Sequence, residues 1–306
     1  MGEVEPAILA ERVLRLRRTH PFDAFDAGDL AVLAALGREV ICPGRTQLVA
    51  EGERASSHWV ALTGRLRGLY HGEPLSGDPF EAGFGGLSVL TGLPLPCDLV
   101  AEPGTVLFIL DEDALLGALE ERGQLARTAL QAMARSVLAV RRGEGNSIPS
   151  PVTMPPWLES RTLDLVSRMT AIRSAVGVRT ANAAVLTPLA RAARVETLPP
   201  GRSLWPDPTA PADLVIVLEG GLNDRPDDDQ GPRAGRGALY GLMESVASLP
   251  RDPPVVTTVE STAMVISHSE MQEAIDDDDR FCLALMHLAA FELWNAFWRH
   301  HPLPAS

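Results

Sequence analysis

Lysine is absent from this chain; all 27 basic side chains are arginines. That excludes lysine Schiff-base chemistry and the lysine of a phosphate-binding P-loop, and it fits a GC-rich genome. Cysteine is scarce. Cys42, Cys97 and Cys282 form an odd, widely spaced set with no Cys-x-x-Cys, which argues against a disulfide framework or a zinc site and fits a reducing compartment. No apolar run approaches the roughly 20 residues that span a bilayer, and Met1–Arg18 is charged and amphipathic, without the apolar centre of a signal peptide. A cytoplasmic chain with no membrane partner is expected. Basic charge is in deficit, 27 against 40 acidic residues, for a net charge of −13. A field of that sign repels phosphate backbones, so no nucleic-acid partner is expected. Neither a Gly-x-Ser-x-Gly elbow nor a Gly-x-x-x-x-Gly-Lys loop occurs. What is present is a globular balance, 45% hydrophobic and 22% charged.

The texture changes along the chain. Residues 5–38 carry apolar residues at helical spacing (Leu9, Val13, Leu16, then Leu30, Leu33, Leu36), with Asp29 as a candidate cap. From Val40 to Leu110, short apolar runs alternate with Gly, Pro and Ser, the pattern of many short strands and tight turns. One long helix is expected over Ala114–Arg141. The stretch Arg142–Pro156 is rich in Gly, Ser and Pro and reads as a linker. The order then recurs: helical from Trp157 to Arg194, strand-like from Val195 to Ile266, helical from Ser269 to Arg299.

The recurrence extends to residues. Pro43-Gly44-Arg45 returns as Pro200-Gly201-Arg202, and Trp59-Val60-Ala61-Leu62-Thr63-Gly64 as Val215-Ile216-Val217-Leu218-Glu219-Gly220. Gly85 matches Gly241, Pro94 matches Pro250, and Leu99-Val100 matches Val255-Val256. The offset stays near 156 residues throughout. Two copies of one domain are expected: residues 1–143, a linker at 144–156, and residues 157–306.

The first copy resembles the cyclic nucleotide-binding domain family of catabolite activator proteins and protein kinase A regulatory subunits. The resemblance rests on the turns Pro43-Gly44-Arg45, Glu51-Gly52-Glu53 and Leu62-Thr63-Gly64. It continues in a cassette, Phe84-Gly85-Gly86-Leu87-Ser88-Val89-Leu90, running on to Leu99-Val100-Ala101. In the second copy, Tyr240-Gly241-Leu242 and Pro250-Arg251 stand at the matching places. The implied fold is α+β, mainly β: two double-stranded β-helix (jelly-roll) domains, each flanked by N- and C-terminal helices. The implied chemistry is a short helix offering backbone N–H groups to a cyclic phosphate, an arginine pairing with the anionic oxygen, and a glutamate on the ribose hydroxyl. Here the glutamate positions are Gly86 and Leu242, and the first arginine position is Leu95. Loss of a charged hydrogen bond costs about 1.5–3 kcal/mol, so the first copy is expected not to bind a cyclic nucleotide. Arg251 keeps the second arginine position, but Asp252 follows and can pair with it, and Pro253-Pro254 interrupts the motif. A solvated or Asp252-paired loop arginine is therefore expected there, with an anion contact as the alternative.

Other constellations are weaker. A bicupin-like enzyme needs His-x-His, whereas His58 and His71 stand alone and His300-His301 lies in the tail. Asp227–Asp229 and Asp276–Asp279 lack the ligand spacing of an EF-hand. The last helix carries Phe281, Leu285, Leu288, Phe291, Trp294, Phe297 and Trp298, an aromatic stripe suited to packing or to anchoring a partner. The expectation is a non-enzymatic adaptor or scaffold without a cofactor. It would bind a protein or peptide, or self-associate through the terminal aromatic helix. The candidate contact residues are Phe84, Gly85, Gly86, Leu95, Tyr240, Gly241, Arg251, Phe291, Trp294 and Trp298. The alternatives are a cyclic-nucleotide or small-anion sensor using Arg251 of the second copy and a bicupin-like enzyme.

Overall fold

A computed structural model describes residues 6–19, 22–75, 83–143, 163–176, 183–223, 234–252 and 254–298. The linker expected at 144–156 lies outside them. Two compact units are formed, one from residues 1–132 with 290–306, the other from residues 133–289.

The first unit opens with α1 (Pro6–Leu16) and α2 (Ala27–Leu36). Asp26, not Asp29, caps α2: its side chain accepts the Asp29 N–H, and Asp29 falls in the buried first turn. Seven strands follow: β1 (Arg38–Ile41), β2 (Thr46–Val49), β3 (Ser57–Thr63), β4 (Leu66–Tyr70), β5 (Glu73–Pro74), then β6 (Asp98–Ala101) and β7 (Val106–Asp111) after the short helix α3 (Gly86–Thr91). They form two antiparallel sheets, β1-β7-β3 and β2-β6-β4-β5, rolled against each other. Their inner faces enclose Val49, Trp59, Leu66, Phe84, Leu99 and Ile109. The helix expected over 114–141 divides at Arg122 into α4 (Glu112–Glu121) and α5 (Gly123–Gly143).

The second unit repeats the order with α6 (Leu165–Val176), α7 (Ala183–Ala192), β8 (Arg194–Leu198), β9 (Leu214–Glu219), β10 (Leu222–Asn223), β11 (Leu239–Tyr240), α8 (Leu242–Ala247), β12 (Val256–Thr257), β13 (Ser261–Ile266), α9 (His268–Asp277) and α10 (Asp279–Trp298). Its main sheet is antiparallel, β11-β9-β13-β8, and β10 pairs with β12. The part of α10 from Ala290 onward belongs to the first unit, and the part of α5 from Met133 onward to the second. Helix outweighs strand among the described residues because every roll is framed by long helices.

The repeat extends to partly buried polar contacts that the sequence motifs did not include. Arg12 Nη1 donates to the carbonyls of Ala34 and Gly37, both at 3.1 Å. Arg168 Nη1 donates to Ala190 at 3.3 Å and Ala193 at 2.8 Å, the same carbonyls one repeat later. Each guanidinium closes the C-terminus of the second helix of its unit, where backbone carbonyls lack partners and positive charge is favoured. Likewise Thr105 Oγ1 accepts the Arg65 N–H, and Ser261 Oγ accepts the Gly221 N–H, both at 3.1 Å. Removing a partner from a buried polar group costs about 1–3 kcal/mol. Arg12→Leu and Arg168→Leu are each expected to lower stability by that amount in urea unfolding. A loss confined to one of them would contradict their equivalence.

Candidate functional site

In both units a bridging aromatic residue, a glycine and a short helix form the cassette. Phe84 pairs with Trp59 through two backbone hydrogen bonds, 2.8 and 2.7 Å, and Tyr240 pairs with Val215. The next residue must turn sharply. Gly85 has φ +91° and Gly241 φ +80°, the left-handed region that costs a β-carbon dearly. A β-carbon would also lie 2.2 Å from the Ser57 carbonyl or 2.1 Å from that of Asp213. Both glycines therefore cap their helices, α3 and α8, by necessity.

In the first unit this cassette is closed by the chain's own groups. Leu95 is 3% exposed and packs in the roll interior with Phe84. Trp294, in the part of α10 that belongs to this unit, is 5% exposed and joins the same interior. Gly86, the first residue of α3, donates its N–H to His58 Nδ1 at 3.1 Å. Ser88, fully buried, accepts the Ala55 N–H and donates to the Leu93 carbonyl, tying the helix to the roll. His58 packs beside Phe22, ring centroids 5.7 Å apart. Burial lowers its pKa from 6.5 to about 4, against a backbone hydrogen bond to Phe84 that acts the other way. Its imidazole is therefore neutral, as acceptance at Nδ1 requires.

In the second unit the arginine is present and occupied. The Arg251 side chain is 6% exposed and forms an ion pair with Glu244, whose side chain is 3% exposed. The guanidinium also lies 5.9 Å from the Tyr240 ring centroid, within cation–π range. This corrects the expectation of a solvated or Asp252-paired arginine: the partner is Glu244, in the wholly buried helix α8. Glu244 holds the place that Ser88 holds one repeat earlier. Arg251 Nε and Glu244 Oε2 have no hydrogen-bond partner among the described residues. The cavity beside them, edged by Leu138, Arg141 and Pro250, is about 10 Å³, about what one water needs. Leu242, at the glutamate position, is a buried apolar residue.

Each unit is an antiparallel β-roll framed by helices. The order of helix, strands, glycine-capped cassette helix, strands and two closing helices recurs in both. No protein-family model matches the chain, and a sequence comparison with curated proteins returns no match. Among solved structures, the chain is similar to the regulatory domain of Toxoplasma gondii PKA with cAMP, at 16% identity over 90% of this chain and 96% of that one, TM-score 0.36. It is similar to the regulatory subunit of a cAMP-independent protein kinase A from Trypanosoma brucei, at 14% identity over 90% and 91%, TM-score 0.35. A cyclic nucleotide-binding domain from Methylobacillus flagellatus is 21% identical over 44% of this chain and 79% of that one, TM-score 0.36.

The remaining candidates fall elsewhere. Phe291 is 48% exposed; the side chains of Phe297 and Trp298 lie outside the described residues, as do Asp227–Asp229 and His300-His301. Asp278 caps α10, its Oδ1 accepting the Phe281 N–H at 2.9 Å. Among the described residues no three His, Cys, Asp or Glu side chains are grouped to hold a metal, and no helix is long and apolar enough to cross a membrane. The three cysteines are buried and form no disulfide, and burial pushes the Cys97 thiol up to about 12.

His58 gives a pH signature. The unfolded chain takes a proton near pH 6.5 and the folded chain only near 4, so stability falls as pH drops through that window, by up to about 3 kcal/mol. Urea unfolding across this range is expected to show the slope in the native chain and a flatter one in His58→Asn. Coincident profiles would contradict the assignment.

Proposed function

We propose that the chain is a non-catalytic adaptor or scaffold that binds a protein or peptide, and that neither roll takes a cyclic nucleotide. The observation that carries this reading is the burial of Arg251 against Glu244. The guanidinium that would meet a phosphate already has a carboxylate, and an incoming anion must first displace it. In the first roll, Leu95 and Trp294 occupy the interior and His58 holds the Gly86 amide. Ligand positions filled by the chain's own groups favour use of the outer surface. Phe291 supplies one exposed aromatic side chain on the terminal helix, suited to a partner or to a second copy of the chain.

One observation favours the anion-sensor alternative: Arg251 Nε is buried and unpartnered among the described residues, so the guanidinium has a donor to spare. Calorimetry with cyclic AMP and cyclic GMP separates the two readings. No heat of binding is expected from the native chain. A micromolar isotherm abolished by Arg251→Ala would overturn the adaptor reading in favour of the sensor.

A further inference from the structure

The second unit carries a groove of about 190 Å³ between α7 and α9. Ordinary small-molecule pockets run to about 300–1,000 Å³, so its size suits side chains of a docked segment. The floor is apolar and comes from α7: Val185 and Leu189 below, with Ala184 and Pro188 exposed along it. Pro188 lies inside the helix, a placement that costs about 3 kcal/mol in an ordinary helix interior. The rim is acidic and comes from α9. Glu270 is committed to the capping box with Ser267, and Asp278 to the start of α10. Glu273 and Asp277 are exposed and have no hydrogen-bond or ion-pair partner among the described residues.

These two carboxylates are in an unfavourable position. They stand four residues apart on one helix, where like charges repel. Asp277 ends α9, whose last turn has no basic residue, and negative charge is disfavoured at a helix C-terminus.

The first unit solves the same place differently. One repeat earlier, Val185 corresponds to Asp29, Asp278 to Arg122 and Glu273 to Gly117. There an acid takes the floor position and a base the rim position. Asp29 is raised by burial and by Asp26, with the Arg122 charge opposing. The second unit has instead an apolar floor and an acidic rim, with the complementary base missing.

We propose that the α7–α9 groove is a docking site for a basic amphipathic peptide segment of a partner protein, its apolar side chains on Val185, Pro188 and Leu189 and its arginines or lysines on Glu273 and Asp277. This rests on the adaptor reading and names the surface and the partner's chemistry. The probe is a fluorescein-labelled helical peptide with leucine on one face and arginine on the other, followed by fluorescence anisotropy with the full chain. Binding is expected, weakened by salt. The pair Glu273→Gln with Asp277→Asn is expected to weaken it about fivefold or more, the loss of two partly exposed ion pairs. Ala184→Phe, which fills the floor, is expected to weaken it without changing the charge. No binding, equal binding by the double variant, or equal binding of an arginine–serine peptide of the same charge would overturn the proposal. So would a dimer of the native chain that the double variant dissolves, which would give the groove to a second copy. Failure here together with silent cyclic-nucleotide calorimetry removes this surface and leaves the adaptor reading; a positive calorimetric isotherm removes the reading itself.

Discussion

Arg251 must have an anion. A guanidinium keeps its proton at any accessible pH, and removing an ion from water costs several kcal/mol unless a counter-charge and hydrogen bonds replace the solvent. A buried arginine at this corner of a β-roll therefore leaves two arrangements: a ligand brings the negative charge, or the chain does. Glu244 brings it. The two copies show the constraint as a pair of positions. Where the first has Ser88 and Leu95, both buried and neutral, the second has Glu244 and Arg251, both buried and charged. The charges are present together or absent together, and Gly241 and Gly85 both start the cassette helix from a left-handed turn.

Much of the fold was legible from periodicity and punctuation. The glycine-marked turns at Gly64, Gly85, Gly220 and Gly241 all have positive φ, and their constant offset reveals the duplication because such positions tolerate few other residues. Helix ends were less legible. Asp26 rather than Asp29 caps α2, because two acids lie within one turn and only backbone geometry chooses between them. The breaks at Arg122 and Asp278 interrupt runs whose apolar spacing continues across them.

The site was legible in part. That Leu95 and Gly86 lack ligand chemistry follows from their identities. That Arg251 pairs with Glu244 does not, because Asp252 is nearer in sequence and only the fold brings α8 against Arg251. A signal was available: Glu244 is the one charged residue in the apolar helix Leu242–Ala247, seven residues before an arginine. His58 stood alone in sequence and gained meaning only when β3 brought it under the Gly86 amide. Trp294 belonged to a stripe with two possible uses, and its burial in the first roll assigns it to packing while Phe291 stays exposed.

A double-mutant cycle on Glu244 and Arg251 reaches the centre of this account, with stability read from urea unfolding of Glu244→Leu, Arg251→Met and the double variant. Each single change should cost about 3–5 kcal/mol by leaving a buried charge alone, and the double variant should be near the native chain or above it. Additive losses in the double variant, or single changes costing less than about 0.5 kcal/mol as at an open surface, would contradict a carboxylate locked onto Arg251.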